Sequence, residues 1–491
     1  MYHLNVSTTR ALSLIMSLSE KVERPWFSKG HKGLQIDDPR IQHLALKQRK
    51  EMVKGYQAQP NELILENVAM TCRASPSYIR IGHIELYSRK YRNALSTYDK
   101  AKTIANERRI KTHLDEFIAM TKHLIFREYP ELNDGDQKFD FQSQIVSVLA
   151  QSSQQISRMT ADWIRVGYCQ GNFNSDNSLV AGRTMDYGRC YDVSMMFLLL
   201  IFSAVFFGWC CIQGPFGFIE RYEKEWNMWS GGGKPYSFRN QHIAGDRNFI
   251  SLATALLPLL NSSHRATVTE EIMPNHEKIS QHEINDVFRR KLGFRYWNVN
   301  SEELFTRLDS LMEISMADYT LFYRQLTLLP EKHIIQETGE DGNSRFALLY
   351  DVDDSDILLE PFRGFVFYDE LPTNVSYQLR VVLRDWLVLL LNDLNEYHET
   401  LRSSRNKRKM QDPYTPSLIS SRMRMVSPKY IPREWMLERA YSAAYRLDFS
   451  ELLRLQTLFR NPFEEQSNFE EEFYRRIPKD IIGQGGISTM T

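Results

Sequence analysis

The chain has 491 residues, 42% of them apolar and 12% aromatic, and its 61 basic side chains balance 61 acidic ones. That describes a folded protein with a sizeable core and room for more than one domain, and the zero formal charge gives no support for a nucleic-acid or membrane-surface partner. The five cysteines, Cys72, Cys169, Cys190, Cys210 and Cys211, are odd in number and lack zinc-site spacing, so neither a disulfide framework nor a metal cluster is indicated and a reducing compartment is the default.

In chain order, residues 1–20 carry mixed helix signals and no charged-then-apolar secretory pattern. Residues 24–60 are polar and irregular, punctuated by Pro25, Gly30, Gly33 and Pro39. A short apolar stretch, Leu63 to Met70, leads into residues 71–87, whose alternation predicts a strand followed by a turn, and 88–130 read as mostly helical. Ile145, Val148, Ile156, Met159 and Trp163 fall at helical spacing and predict a long helix running into Gly167. From Gly167 to Gly188, Gly, Asn, Ser and Asp crowd together, which predicts a loop and then a strand pair.

Residues 195–212 are 18 consecutive uncharged, mostly apolar residues, the short end of a membrane span. Beyond residue 245 the chain reads as largely helical. Leu304, Leu308, Leu311 and Ser315 mark one amphipathic helix, and Leu379, Val382, Leu383, Trp386, Leu390 and Leu394 another. The basic run over 402–414 reads as an exposed loop. The stretch Ser230 to Pro235 looks like a phosphate loop but fails the pattern: Met228 stands where a Gly is needed and Pro235 where Ser or Thr is needed.

The densest chemistry lies in residues 166–188. Asp176 and Asn177 sit in the loop, and Asp186 follows past Leu179–Ala181, a stretch short enough to be one strand of a hairpin. Such a hairpin would bring Asn177 and Asp186 together as two oxygen ligands. That suits Mg²⁺, which takes few protein ligands and completes its octahedron with phosphate and water. Asp176 would then serve as a base toward an attacking hydroxyl. Protein kinases use the same three parts, with a different Asp–Asn spacing and D-F-G in place of Asp186-Tyr187-Gly188. The same residue types also make ordinary turns.

This stretch resembles the selenoprotein O family, in which G-V-x-N-T-D-N is followed by D-Y-G-P-F-G-F. Here Gly171 to Asn177 and Asp186 to Gly188 match, and P-F-G-F recurs at Pro215 to Phe218, displaced by the apolar segment. Thr8 to Leu14 is similar to the family's T-T-R-A-L-S-L, and Arg73 to His83 to its R-x-A-P-S-x-x-R-x-G-H. Pro428-Lys429-Tyr430 and Asn461-Pro462-Phe463 follow in the same order. The resemblance spans nearly the whole chain except 189–213.

The resemblance implies an α+β, protein-kinase-like (pseudokinase) fold that transfers AMP from ATP to Ser, Thr or Tyr hydroxyls of proteins. Asp176 would be the catalytic base, Asn177 and Asp186 would hold Mg²⁺ or Mn²⁺, and Arg73 and Arg80 would reach the phosphates. Guanidinium forks suit that role, although by themselves the two arginines would equally make surface salt bridges. Residues 1–130 would be the remnant of a nucleotide-binding lobe with its hinge, and 131–491 the helical lobe. Family members in eukaryotes are mitochondrial.

Three departures qualify the expectation. The family carries an N-terminal lobe ahead of T-T-R-A-L-S-L, whereas this chain begins shortly before that block. Residues 189–213 split D-Y-G from P-F-G-F and read as an insertion or an unspliced segment rather than a span. The chain ends about where the family's Cys or selenocysteine tail begins. Gln170 also stands where the family often has His. The rival expectations are a catalytically impaired pseudokinase that still binds nucleotide, an ATP-dependent protein kinase, and, resting on 195–212 alone, a membrane-anchored protein.

Overall fold

Long runs with apolar residues three and four apart must bury one face, and here they do so chiefly against one another. The computed structural model describes residues 1–25, 36, 46, 49–50, 63–134, 140–185, 216–228, 233–338, 344–349, 356–403, 414–446 and 448–478. These form two units. One comprises residues 11–73 and 191–209, and the other residues 1–10, 74–190 and 210–491. The architecture is α+β and mostly helical.

In the smaller unit, β1 (Arg10–Pro25) pairs with β2 (Leu63–Ala74) in a two-stranded sheet. The helix signals over residues 1–20 therefore do not hold: beyond a short turn at Tyr2–Leu4 the chain is a strand. Leu12, Leu14, Met16 and Leu18 recur at every second position, the strand period.

In the larger unit, α1 (Ile81–Lys100) packs on α2 (Ile104–Glu128), and α3 (Phe141–Val166) runs through the middle. The strand expected over 71–87 thus stops at Ala74, and the helix begins at Ile81 rather than near 88. α3 starts where the Asp140 side chain accepts from Gln142 N and Ser143 N, and ends at Gly167, which takes the left-handed φ of 79° that favours glycine. From Met159 to Val166 every residue of α3 is buried, so its last two turns are enclosed on all sides.

β3 (Tyr168–Cys169) follows directly and pairs antiparallel with β4 (Gly217–Phe218). Next come α4 (Gln241–Leu256) and, after a π-helical turn at Thr267–Ile272, α5 (Met273–Lys291). Both pack on α3. Ile84, Phe117, Leu124, Ile145, Leu149, Ile156, Phe249 and Leu252 fill this core, each contributing about 1.5–3 kcal/mol of burial. Ser153 Oγ lies 2.8 Å from His276 Nδ1, and His276 Nε2 lies 3.0 Å from Asp246 Oδ1. The trio has the residue types of a hydrolytic triad, but Ser153 is fully buried, so it ties α3, α4 and α5 together rather than meeting a substrate.

The remaining helices are α6 (Val299–Ile314), α7 (Tyr319–Leu326), α8 (Thr373–Ser403), α9 (Pro416–Val426), α10 (Glu434–Tyr445), α11 (Ser450–Arg460) and α12 (Ser467–Phe473). Leu304, Leu308 and Leu311 of α6 are buried, as are Leu379, Leu383, Trp386, Leu390 and Leu394 of α8, as their spacing predicts. One hairpin interrupts the helical region, Ile334–Thr338 paired with Ser344–Leu348. Its edge is met by Asn395 of α8, whose amide both accepts from Phe346 N and donates to Phe346 O.

The apolar stretch 195–212 and most of the basic run 402–414 lie outside the described residues. Among the described residues, no helix is long and apolar enough to cross a membrane. Lys234, within the rejected phosphate-loop motif, is exposed and pairs with Glu225 at 2.8 Å.

Candidate active site

The loop after β3 is held from below by buried side chains. Gln241 of α4 accepts from Gln170 N (2.8 Å) and donates to Tyr168 O (2.7 Å), which fixes the strand end. The Phe173 ring packs edge-on against Trp163 of α3, and Asn248 donates to Phe173 O at 3.0 Å. Above this base the asparagines make their own turns. Asn174 Oδ1 accepts from Asp176 N at 3.0 Å, and Asn177 N donates to Asn174 O at 3.0 Å. Ser175 Oγ donates to Glu85 of α1 at 2.7 Å, and Glu85 also accepts from Ser251 of α4.

The Arg73–His83 block reaches this loop by its second half. Val180 N donates to Ile79 O, Ile81 N to Ser178 O and Gly82 N to Ser175 O, so residues 79–82 lie antiparallel along 175–180. Arg80 Nη1 donates to Asp176 O at 3.3 Å. Arg80 N donates to His83 Nδ1 at 3.1 Å and so begins α1 with a capping interaction. Because Nδ1 accepts, the neutral ring carries its proton on Nε2. The 3.4 Å approach of Arg80 Nη2 to Nε2 then sets donor against donor. Burial first, and the Arg80 guanidinium second, hold His83 below its ordinary value, with Asp176 acting the other way. Arg80 pairs with no carboxylate among the described residues; its Nη1 is engaged by the Asp176 carbonyl and its Nη2 faces His83.

Asp176 is exposed and Asn177 is buried, although they are neighbours. Asn177 Nδ2 donates to Asn172 O at 2.7 Å, which fixes the amide's orientation. Its Oδ1 is buried and, among the described residues, meets no hydrogen-bond donor. A buried amide oxygen without a donor costs free energy unless a ligand satisfies it, and a hard cation is such a ligand. The site residues present therefore fit a divalent ion on this one oxygen. Among the described residues there is no group of three or more His, Cys, Asp or Glu side chains that could hold a metal.

The structure thus brings Arg80, Asp176 and Asn177 together. Arg73 stands near the end of β2, in the other unit, and Asp186 lies outside the described residues. The strand expected at Leu179–Ala181 is smaller than foreseen. Leu179 and Arg183 bridge across a tight turn whose Gly182 has φ +61° and no room for a β-carbon against the Gln155 backbone. Thr184 Oγ1 then donates to Asn177 O at 2.8 Å, so the chain does return to Asn177 two residues before Asp186. Sequence reasoning missed Gly82, Glu85, Gln241 and Asn248, which support the loop. Only Gly82 had a signal, its place in the Arg73–His83 block. Cys169, one of the thiols flagged by count, is buried, and burial pushes it up to about 12, which rules it out as a thiolate at neutral pH.

The family described as protein adenylyltransferase SelO matches residues 50–193 and 206–460, and the break falls within residues 189–213. The protein nucleotidyltransferase YdiU of Flavobacterium johnsoniae is 25% identical over 479 residues, covering 97% of this chain and 68% of that protein. Proteins of the same name from Rhodopirellula baltica and Aromatoleum aromaticum are each 24% identical over the whole of this chain, covering 71% and 69% of their own lengths. With the match extending over most of its length, this chain belongs to the SelO family of protein adenylyltransferases.

Proposed function

We propose that this chain transfers AMP from ATP to Ser, Thr or Tyr hydroxyls of protein substrates, on a kinase-like framework. Residues 1–130 would contribute the remnant of the nucleotide lobe and its hinge, and 131–491 the helical lobe. The observation that carries the reading is the pairing of an exposed carboxylate, Asp176, with a buried amide oxygen on Asn177 that meets no donor among the described residues, next to the Arg80 guanidinium. One side chain faces solvent, where a hydroxyl can arrive, and its neighbour faces inward, where a cation can sit.

Asp176 takes the proton of the attacking hydroxyl. The hydroxyl oxygen forms its bond to the α-phosphorus as the bond from that phosphorus to the β-phosphate bridge oxygen breaks, and pyrophosphate leaves. Asn177 and Asp186 would hold Mg²⁺ or Mn²⁺, which when bound neutralises charge on the phosphate oxygens. Arg80 and Arg73 bind and orient the phosphates, which in this class of reaction is most of what the protein supplies.

The test is incubation of the purified chain with Mg²⁺, a protein acceptor and ATP labelled on either the α- or the γ-phosphate. Label arriving from the α position alone supports AMP transfer. Label from the γ position would make it a kinase, and no label from either would overturn both.

A further inference from the structure

Three arginines converge on a cavity in the larger unit, away from the loop just described. The cavity, of about 520 Å³, lies between the segment that follows β4, the turn at 364–369 and the end of the described chain at 475–478. Arg221 lies over the Tyr368 ring at 4.5 Å, and Arg475 over the Trp435 ring at 5.5 Å. Neither pairs with a carboxylate among the described residues. Arg476 differs, because it is committed to main-chain oxygens, donating to Gly364 O at 2.8 Å and to Phe367 O. Among the described residues of the lining, three are arginines and one, Asp369, is acidic.

A guanidinium laid on an aromatic face keeps its edge N–H groups free and its plane fixed, so little ordering is needed when it binds a planar or tetrahedral oxyanion. Here the platform is itself anchored. The Tyr368 hydroxyl donates to Asp318 Oδ2 at 3.2 Å, and Asp318 and Glu220 are both held by the buried Arg433. The volume is far larger than a phosphate group needs and falls in the range of pockets that enclose a whole side chain or small ligand. Phe365, Ile477 and Pro478 supply apolar lining for the carbon part of such a group.

We propose that this pocket binds a phosphate monoester carried on a protein side chain, with Arg221 and Arg475 gripping the phosphate and Phe365 and Ile477 covering its carrier. Arginine clusters are a recurring means of recognising phosphorylated residues. Arg221 follows β4 by three residues, and β4 is the strand paired with the one that leads into the Asp176 loop. A phosphorylated protein held here is therefore anchored on the same framework that carries the loop. The proposal does not depend on AMP transfer and is tested without turnover.

The full-length chain is titrated by calorimetry with the acetylated amides of phosphotyrosine and phosphoserine, their unphosphorylated counterparts and inorganic phosphate. Binding of a phosphorylated amide, at least tenfold tighter than its unphosphorylated form and than inorganic phosphate, is the expected result. Arg221→Gln and Arg475→Gln should each weaken it by about tenfold, the loss of one charge-assisted hydrogen-bonded pair. Two variants are used because Arg475 is exposed and its loss leaves the fold intact even if Arg221 proves structural. Equal binding of phosphorylated and unphosphorylated amides, equal affinity for inorganic phosphate, unchanged affinity in Arg475→Gln, or displacement of the amide by Mg²⁺-ATP would each overturn the assignment.

Discussion

Gly82 lies so close under Asp176 that a β-carbon at position 82 would meet Asp176 Oδ1 at 2.3 Å. The atom in the way is the tip of an exposed side chain, so Gly82→Ala leaves the fold intact and turns the carboxylate aside. Global stability should change by less than about 1 kcal/mol, as for a surface substitution. AMP transfer should fall by about 10²-fold, the usual consequence of displacing a reacting group by an ångström. A melting curve and a labelled-ATP assay on the same preparation check both halves. Full activity would show that Asp176 has no fixed position to defend.

Asp176 and Asn177 should fail in different ways. Asp176→Ala removes the proposed base and should slow transfer by roughly 10²–10⁴-fold without altering the metal concentration at half-maximal rate. Asn177→Ala removes the buried oxygen that has no donor among the described residues, and should raise that metal concentration by about tenfold or more. Asp186→Ala should abolish transfer. If Asn177→Ala lowers the rate with no change in metal dependence, the amide is structural.

The cap between Arg80 and His83 makes the start of α1 sensitive to pH. Arg80 N needs a bare Nδ1 to donate to, and a protonated ring offers none. Burial and Arg80 hold His83 below its ordinary 6.5, so the folded chain binds this proton less readily than the unfolded chain. The cap is therefore fully present above pH 6.5, and its contribution is lost as pH falls through the lowered value. A positive ring at a helix N-terminus adds to the loss. The unfolding midpoint should drop between about pH 7 and about pH 5, where histidines titrate, and His83→Gln should flatten that part of the curve. Superimposable profiles would assign the drop to another group.

Much of this was legible in the sequence, for reasons that differ by element. α3 was readable because Ile145, Val148, Ile156, Met159 and Trp163 keep one period to a terminal glycine. α8 was readable for the same reason. β1 was not, because the charged residues Glu20, Lys21 and Glu23 and the off-phase Ile15 blur an alternation that runs only from Leu12 to Leu18. The Asp176–Asn177 loop stood out by composition and by its similarity to a family. Its supports did not, because Glu85, Gln241 and Asn248 lie on helices that only the fold brings to the loop. The arginine pocket was invisible for the same reason: Arg221, Tyr368 and Arg475 are each ordinary in their local sequence.

The ion cluster behind that pocket supplies the last prediction. Arg433 lies between Glu220 (3.1 Å) and Asp318 (2.7 Å), one buried cation against two carboxylates. Burial pushes Glu220 up to about 7, with Arg433 opposing and Asp318 adding to the rise. A carboxyl raised above its unfolded value of 4.5 holds its proton more tightly in the folded chain. Its contribution is thus fully present below pH 4.5 and is lost as pH rises through about 7. Arg433→Met removes the opposing charge and leaves the carboxylates facing each other, which should cost about 3–5 kcal/mol. The same change should make stability fall more steeply with rising pH, since Glu220 then resists ionisation further. Denaturant unfolding at several pH values, in the parent chain and in Arg433→Met, separates the two effects. A variant as stable as the parent would mean that hydrophobic packing replaces the cluster without loss, and a pH slope no steeper than the parent's would mean that Glu220 is not the group that titrates.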